Sequence, residues 1–194
     1  KGSFGHVLVL AGSTGKLGAA LLATEGALRG GAGLVTMGVP PDCLPGVEGR
    51  QREAMCAVLD YERSPRESES TLGNLLDGKT ALVWGPGIPT TAAAAELVRY
   101  FASRLPVPAV LDADALNHLA PEPGRLVGAA APRVLTPHPG EAARLLATTP
   151  DRVEEDRVGA ARRLAAESGA VVVLKGARTV VAAPDGLAVV NPTG

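Results

Sequence analysis

The chain has 194 residues, 46% of them hydrophobic and 20% charged, with a formal net charge of -1 at pH 7. That length suits one domain with a sizeable core, and the apolar content excludes an intrinsically disordered chain. The near-neutral balance excludes the basic surplus that would draw the chain to nucleic acid or an anionic membrane, so any phosphate binding must come from backbone amides and a few placed side chains.

His6–Ala11 is a continuous apolar run and reads as a fully buried strand, ended by the glycine-rich Gly12–Gly18. The Ala and Leu content of Ala19–Arg29 predicts a helix, broken by Gly30, Gly31 and Gly33, after which Leu34–Val39 is extended again. Ala54–Leu59 is a further strand candidate, and the polar Ser64–Ser70 is expected to be an exposed loop. Ala81–Trp84 reads as a strand running into Gly85-Pro86-Gly87, with a helix over Thr91–Arg104, a strand over Val107–Leu111 and a short helix over Asp114–Leu119. Arg133–Thr136 is a predicted strand, Gly140–Leu146 a helix opened by Pro139, and Arg152–Glu167 a single amphipathic helix. Val171–Leu174 is a strand, and Thr179–Ala183 with Leu187–Val190 form a hairpin around Pro184-Asp185-Gly186.

Continuous β-branched runs alternating with helices predict an α/β fold with a mostly parallel central sheet flanked by helices on both faces. The closing hairpin adds an antiparallel element near the C-terminal end. Nothing resembling a linker or repeat marks a second domain, so residues 1–194 read as one. Cys43 and Cys56 lack metal-type or redox-type spacing and suit two ordinary thiols of a reducing cytosol. There is no secretory signal and no apolar run of about 18 residues or more, so the expected location is cytoplasmic and away from membranes. The opening at Lys1, without an initiator Met, reads as a trimmed start.

In such a sheet, ligands bind beyond the carboxyl ends of the strands. After the first strand comes Gly12-Ser13-Thr14-Gly15-Lys16-Leu17-Gly18-Ala19, which either meets a polar ligand with backbone amides or serves tight packing. It lacks the spacing of a P-loop. Gly85-Pro86-Gly87 is a rigid turn with the same two readings. Asp112 and Asp114 suit a Mg²⁺-water shell or a substrate hydroxyl, while Asp114 also suits a helix cap. Thr136-Pro137-His138-Pro139-Gly140-Glu141 holds a histidine between two prolines, favouring ligand contact, and Glu141 falls where its charge suits the helix dipole. Lys175, beside Gly176, reads as a phosphate contact or a solvated hairpin lysine. His6 and His118 read as structural.

The order of these signals carries more than any one of them. Lys1-Gly2, Gly5, Gly12-Ser13 with Gly18-Ala19-Ala20, Gly31-Ala32-Gly33-Leu34-Val35-Thr36, Gly85-Pro86-Gly87, Asp112-Ala113-Asp114, Thr136-Pro137-His138-Pro139-Gly140-Glu141 and Leu174-Lys175-Gly176 with Thr179 follow one another. The series resembles the ADP/ATP-dependent NAD(P)H-hydrate dehydratase family, whose fold is ribokinase-like, over the whole chain. The resemblance implies dehydration of hydrated NADH or NADPH, coupled to nucleoside phosphate hydrolysis, with ADP or ATP as co-substrate and Mg²⁺ as cofactor. It places Ala19, Gly87 and His138 at the hydrated nicotinamide nucleotide, and Lys175, Gly176, Ala177, Arg178 and Thr179 at the adenine nucleotide. It further implies a homo-oligomer, a tetramer in the family, and a fused or partner epimerase domain. Lys16 and Leu17 stand where many members have an aromatic residue or Met. The family's glycine-rich Gly-x-Gly-Asp motif, with its catalytic Asp, is expected beyond Gly194, so no catalytic residue is assigned within the chain and truncation is expected. Two other readings are a vitamin-precursor kinase of the same fold and a nucleotide-binding fragment without turnover.

Overall fold

The computed structural model describes residues 2–193. Its strands are β1 (His6–Leu10), β2 (Leu34–Val39), β3 (Met55–Val58), β4 (Ala81–Trp84), β5 (Ala109–Leu111), β6 (Arg133–Leu135), β7 (Val171–Leu174), β8 (Val180–Ala182) and β9 (Ala188–Val190). The helices are α1 (Leu17–Arg29), α2 (Leu44–Val47), α3 (Pro65–Leu76), α4 (Ala92–Phe101), α5 (Asp114–Leu119), α6 (Pro139–Leu145), α7 (Pro150–Glu155) and α8 (Arg157–Ser168). The strands form one nine-stranded sheet in the order β3-β2-β1-β4-β5-β6-β7-β8-β9. All pairings from β3 to β7 are parallel, and β8 and β9 close the edge antiparallel. The α/β class, the mostly parallel sheet and the terminal hairpin are as the sequence predicts.

Period-two alternation along β1 divides the core. Leu8 and Leu10 join Leu82, Trp84 and Leu111 in a large cluster that takes in Leu72 of α3, Leu97 of α4 and Leu164 of α8. Val9 and Ala11 join Val35, Met37 and Val39 beneath Ala20 of α1 and Val47 of α2. Within the large cluster Trp84 Nε1 donates to the Tyr61 hydroxyl at 3.0 Å, and complete burial pushes the Tyr61 phenol well above its ordinary value. Arg133 is also buried, without a carboxylate. Its guanidinium donates instead to the carbonyls of Ala102, Leu105, Val107, Ala131 and Pro132 at 2.6–3.2 Å, and burial draws its pKa below the usual value.

Two expectations need correction. Ser64–Ser70 is not a loop but the start of α3. Ser64 is its N-cap, Pro65 its first residue, and the Glu67 carboxylate accepts from the Ser64 N–H at 3.0 Å in a capping box. Polar residues at a helix start satisfy orphan amides, and the buried Ser68, Leu72 and Leu76 supply the packed face. Arg152–Glu167 is two helices, because Asp156 at φ -139°, ψ 75° ends α7 and caps α8, accepting from the Gly159 N–H at 2.8 Å. Among the described residues, no helix is long and apolar enough to cross a membrane.

Candidate functional site

Strand order reverses once. From β1 the chain moves outward through β2 and β3, then returns to lay β4 on the other side of β1. In open α/β sheets, ligands bind outside the carboxyl ends of the strands at such a point. Here those loops are 12–16 and 85–87. They are stitched together by Gly12 N–H to Pro86 O and by Ser13 Oγ to Gly87 O, both at 2.8 Å. Gly87 adopts φ +69°, and a Cβ there would lie 3.0 Å from Ala19 Cβ and 3.1 Å from Lys16 Cβ. The seat admits a hydrogen and little else, so the structure brings Ala19 and Gly87 into direct apposition. A cavity of about 400 Å³ adjoins it, lined by Ser13, Thr14, Asp42, Tyr61, Glu62 and Pro89 among others. A hollow of about 480 Å³ between α3 and α4, lined by Leu72, Leu76, Phe101 and Leu105, lies where the chain enters β4 and β5, at the opposite end of the strands.

A chain of charge continues across the neighbouring loops. Lys16 Nζ reaches Asp114 Oδ2 at 3.0 Å, spanning the β4 loop between them. Asp114 also receives Asn117 Nδ2 at 3.3 Å, and Asn117 Oδ1 receives Arg144 Nη1 at 3.0 Å. Asp114 therefore does not cap α5: the N-cap position is Ala113, with no side-chain cap. Asp112 pairs with Lys175 Nζ at 2.7 Å, and the same ammonium lies 3.9 Å from Glu141 Oε2.

His138 is fixed by its own helix as well as by its prolines. It is the N-cap of α6, its Nδ1 accepts from the Gly140 N–H at 3.0 Å, and Nε2 lies 3.3 Å from Glu141 Oε1. The ring remains half exposed at the strand ends. It follows β6, two strands from β4, a spacing of about 10 Å between those two strands. Glu141, only 5% exposed, accepts from the His138 N–H at 2.8 Å. Beyond the dipole role that sequence assigns it, Glu141 joins the histidine to Lys175.

The turn after β7 lies on the same edge. Lys175 N–H donates to Pro137 O at 2.8 Å, and Thr179 Oγ1 donates to Gly176 O at 3.0 Å, closing the turn. Gly176, Ala177 and Arg178 are exposed at its tip. Among the described residues, no group of three or more His, Cys, Asp or Glu side chains is placed to hold a metal ion.

His6 and His118 take structural positions. His6 Nε2 meets Thr36 Oγ1 at 2.8 Å, and the buried His118 ring meets Pro89 O at 2.8 Å. Cys43 and Cys56 are free thiols, both pushed up chiefly by burial. Sequence reading passed over Ser13 as an individual contact, the Lys16–Asp114 pair and Arg157, which donates to the carbonyls of Leu174 and Lys175. Each makes its contact 17 or more residues away, so no local signal could have found it.

Comparison with known proteins follows the same line. A family profile described as NAD(P)H-hydrate dehydratase matches residues 7–194. The bifunctional NAD(P)H-hydrate repair enzyme Nnr of Moorella thermoacetica is 46% identical over 201 residues, covering 100% of this chain, and the chain spans only 37% of that relative's length. An ADP-dependent (S)-NAD(P)H-hydrate dehydratase of Neisseria meningitidis is 39% identical, with 100% and 63% of the two chains covered. The crystal structure of an ADP/ATP-dependent NAD(P)H-hydrate dehydratase from Bacillus subtilis, co-crystallized with ATP/Mg²⁺ and soaked with CoA, superposes with a TM-score of 0.81 at 31% identity. That match covers 100% of this chain and 67% of the Bacillus chain. The shared architecture is ribokinase-like.

Proposed function

Because the chain belongs to the NAD(P)H-hydrate dehydratase family, we propose that the protein carrying it returns hydrated NADH and NADPH to NADH and NADPH, using ADP or ATP as co-substrate. The observation that supports this most directly is the seat at the strand-order reversal, where Gly87 closes on Ala19 beside Ser13. On the same edge, Lys175–Thr179 presents an ammonium and an exposed turn to a phosphorylated ligand.

The chemistry explains why a nucleotide is needed. The hydroxyl added to the nicotinamide ring is a poor leaving group, and phosphorylation turns it into a good one. In this reading Ala19, Gly87 and His138 hold the hydrated ring and its nucleotide. Lys175, Gly176, Ala177, Arg178 and Thr179 hold the adenine nucleotide. Lys175 exchanges Asp112 for a phosphate oxygen, an ammonium moving between two anions within reach of one side chain. Magnesium bound with the nucleotide would help neutralise phosphate charge, and as an ion that keeps most of its waters it would need only one or two protein carboxylates. Asp112, which pairs with Lys175, would be a candidate carboxylate for it. No residue of this chain is assigned to the phosphoryl-transfer step itself.

We read residues 1–194 as one nucleotide-binding domain of a homo-oligomeric, cytoplasmic enzyme that acts with an epimerase, fused or separate. The deciding experiment incubates the full-length protein with hydrated NADH and either ADP or ATP, and follows the return of nicotinamide absorbance. Recovery without added nucleotide, or none with either one, overturns the reading.

A further inference from the structure

We propose that Arg157 is a positioning residue for the nucleotide, acting through the backbone of the Lys175–Gly176 turn without touching the ligand. The inference rests on the reading of Lys175–Thr179 as the nucleotide segment.

The break between α7 and α8 makes the arrangement possible. Had Arg152–Glu167 continued as one helix, Arg157 would hold a mid-helix position. Ending α7 at Glu155 and restarting at Arg157 instead sets the side chain at the start of α8, where it turns beneath the end of β7. Only 15% of that side chain is exposed. Glu154, on α7, fixes it by accepting from Nη1 with both carboxylate oxygens at 3.0 Å. The other terminal nitrogen, Nη2, donates to Leu174 O at 3.2 Å and to Lys175 O at 3.1 Å.

Two successive carbonyls are thereby turned toward α8. In a trans peptide the following N–H points the opposite way. For the Leu174 carbonyl the consequence is visible, since the Lys175 N–H runs out to Pro137 O. For the Lys175 carbonyl the same geometry turns the Gly176 N–H away from α8 and toward the edge where the phosphates would lie. Gly176 rests against the guanidinium: at φ +143°, a Cβ there would come within 2.8 Å of Nη2 and 3.0 Å of Nη1. The Glu154–Arg157 pair is thus a template on which the turn is cast. Arg suits the task because its planar fork serves a carboxylate and two carbonyls at once, which a lysine cannot do.

The test uses the full-length protein and the variants Arg157→Met, Arg157→Lys, Glu154→Gln and Gly176→Ala. It measures kcat, KM for each substrate, ADP and ATP affinity by calorimetry, and Tm. Loss of two charge-assisted hydrogen bonds in Arg157→Met is expected to raise KM and Kd for the nucleotide about tenfold or more, leaving KM for the hydrate within about twofold. Arg157→Lys should recover part of that loss. Gly176→Ala should reproduce it, and the double variant with Arg157→Met should be no worse than the weaker-binding single, since both act on one contact. Should Arg157→Met fail to fold, Glu154→Gln, altered at an exposed partner, is expected to shift nucleotide affinity in the same direction while the hydrate KM holds.

Unchanged nucleotide affinity in the folded variants, or equal losses for both substrates, overturns the proposal. Nucleotide binding without dehydration by the wild type would defeat the proposed function while leaving Arg157 to be judged by calorimetry. Absence of any nucleotide binding would defeat both.

Discussion

Replacing Gly87 by Ala tests the crevice most sharply. The backbone there sits at φ +69°, where a side chain costs about 1–2 kcal/mol. The added methyl would also stand 3.0 Å from Ala19 Cβ, 3.1 Å from Lys16 Cβ and 3.2 Å from Lys16 O, closer than ordinary contact. Relieving that overlap by shifting the start of α1 adds about 1 kcal/mol at the low end of overpacking costs. The sum of at least about 2 kcal/mol corresponds to a factor of roughly 30 if it falls on hydrate binding, with each 1.4 kcal/mol counting as tenfold. Steady-state assays at saturating ADP, varying hydrated NADH, should show that rise in KM, while KM for ADP stays within about twofold because the turn after β7 is untouched. Thermal unfolding separates the portion absorbed as lost stability, at about 2–4 °C per kcal/mol for a chain of this size. A hydrate KM near wild type in a folded Gly87→Ala protein, or a parallel rise for ADP, would refute the placement of the substrate at this seat.

Other substitutions probe separate parts of the molecule. His138→Ala should weaken hydrate binding about two- to tenfold, the worth of one hydrogen bond, and nucleotide binding less, as read from the two KM values. Arg133→Met leaves the carbonyls of Ala102, Leu105 and Val107 without their buried donor. It should cost about 3–5 kcal/mol in chemical denaturation while ligand affinities in the folded protein hold. The Glu67 carboxyl is held below its ordinary value, first by the Ser64 hydroxyl and then by the Ser64 N–H. A depressed folded pKa contributes stability that is present above the unfolded value and lost as pH falls through the folded one. The Tm gap between wild type and Ser64→Ala should accordingly narrow on acidification from neutral pH, and a constant gap would argue against the capping box.

Elements legible in the chain were those whose signal is local. The apolar runs at His6–Ala11, Ala81–Trp84 and Val171–Leu174 announce buried strands, and Pro139 with Glu141 announces a helix start. Ser64–Ser70 misled because a capping box is polar, just as a loop is. The break at Asp156 was hidden because the apolar spacing continues across it. Strand order could not be read from any local signal, since nothing local says that β4 returns beside β1, and only the resemblance set Ala19 and Gly87 at one ligand. The ion pairs Lys16–Asp114 and Lys175–Asp112 join residues 98 and 63 apart in sequence, a relation that only the closed sheet creates.

The pairing of β1 with β4 has a consequence for how the molecule comes to exist. Val7 meets Ala81 across a stretch of chain that holds α1, β2, β3 and α3. Such non-local parallel pairing must be reached before its contacts repay the loop-closure entropy, which slows folding. The seat of Ala19 and Gly87 depends on that long-range pairing, because β4 carries Gly87 to its place beside β1. A chain halted on the ribosome before Ala81 would hold the first glycine loop without its counterpart. Ligand present during synthesis should then leave the early folding steps unassisted and slow only the unfolding of the finished sheet.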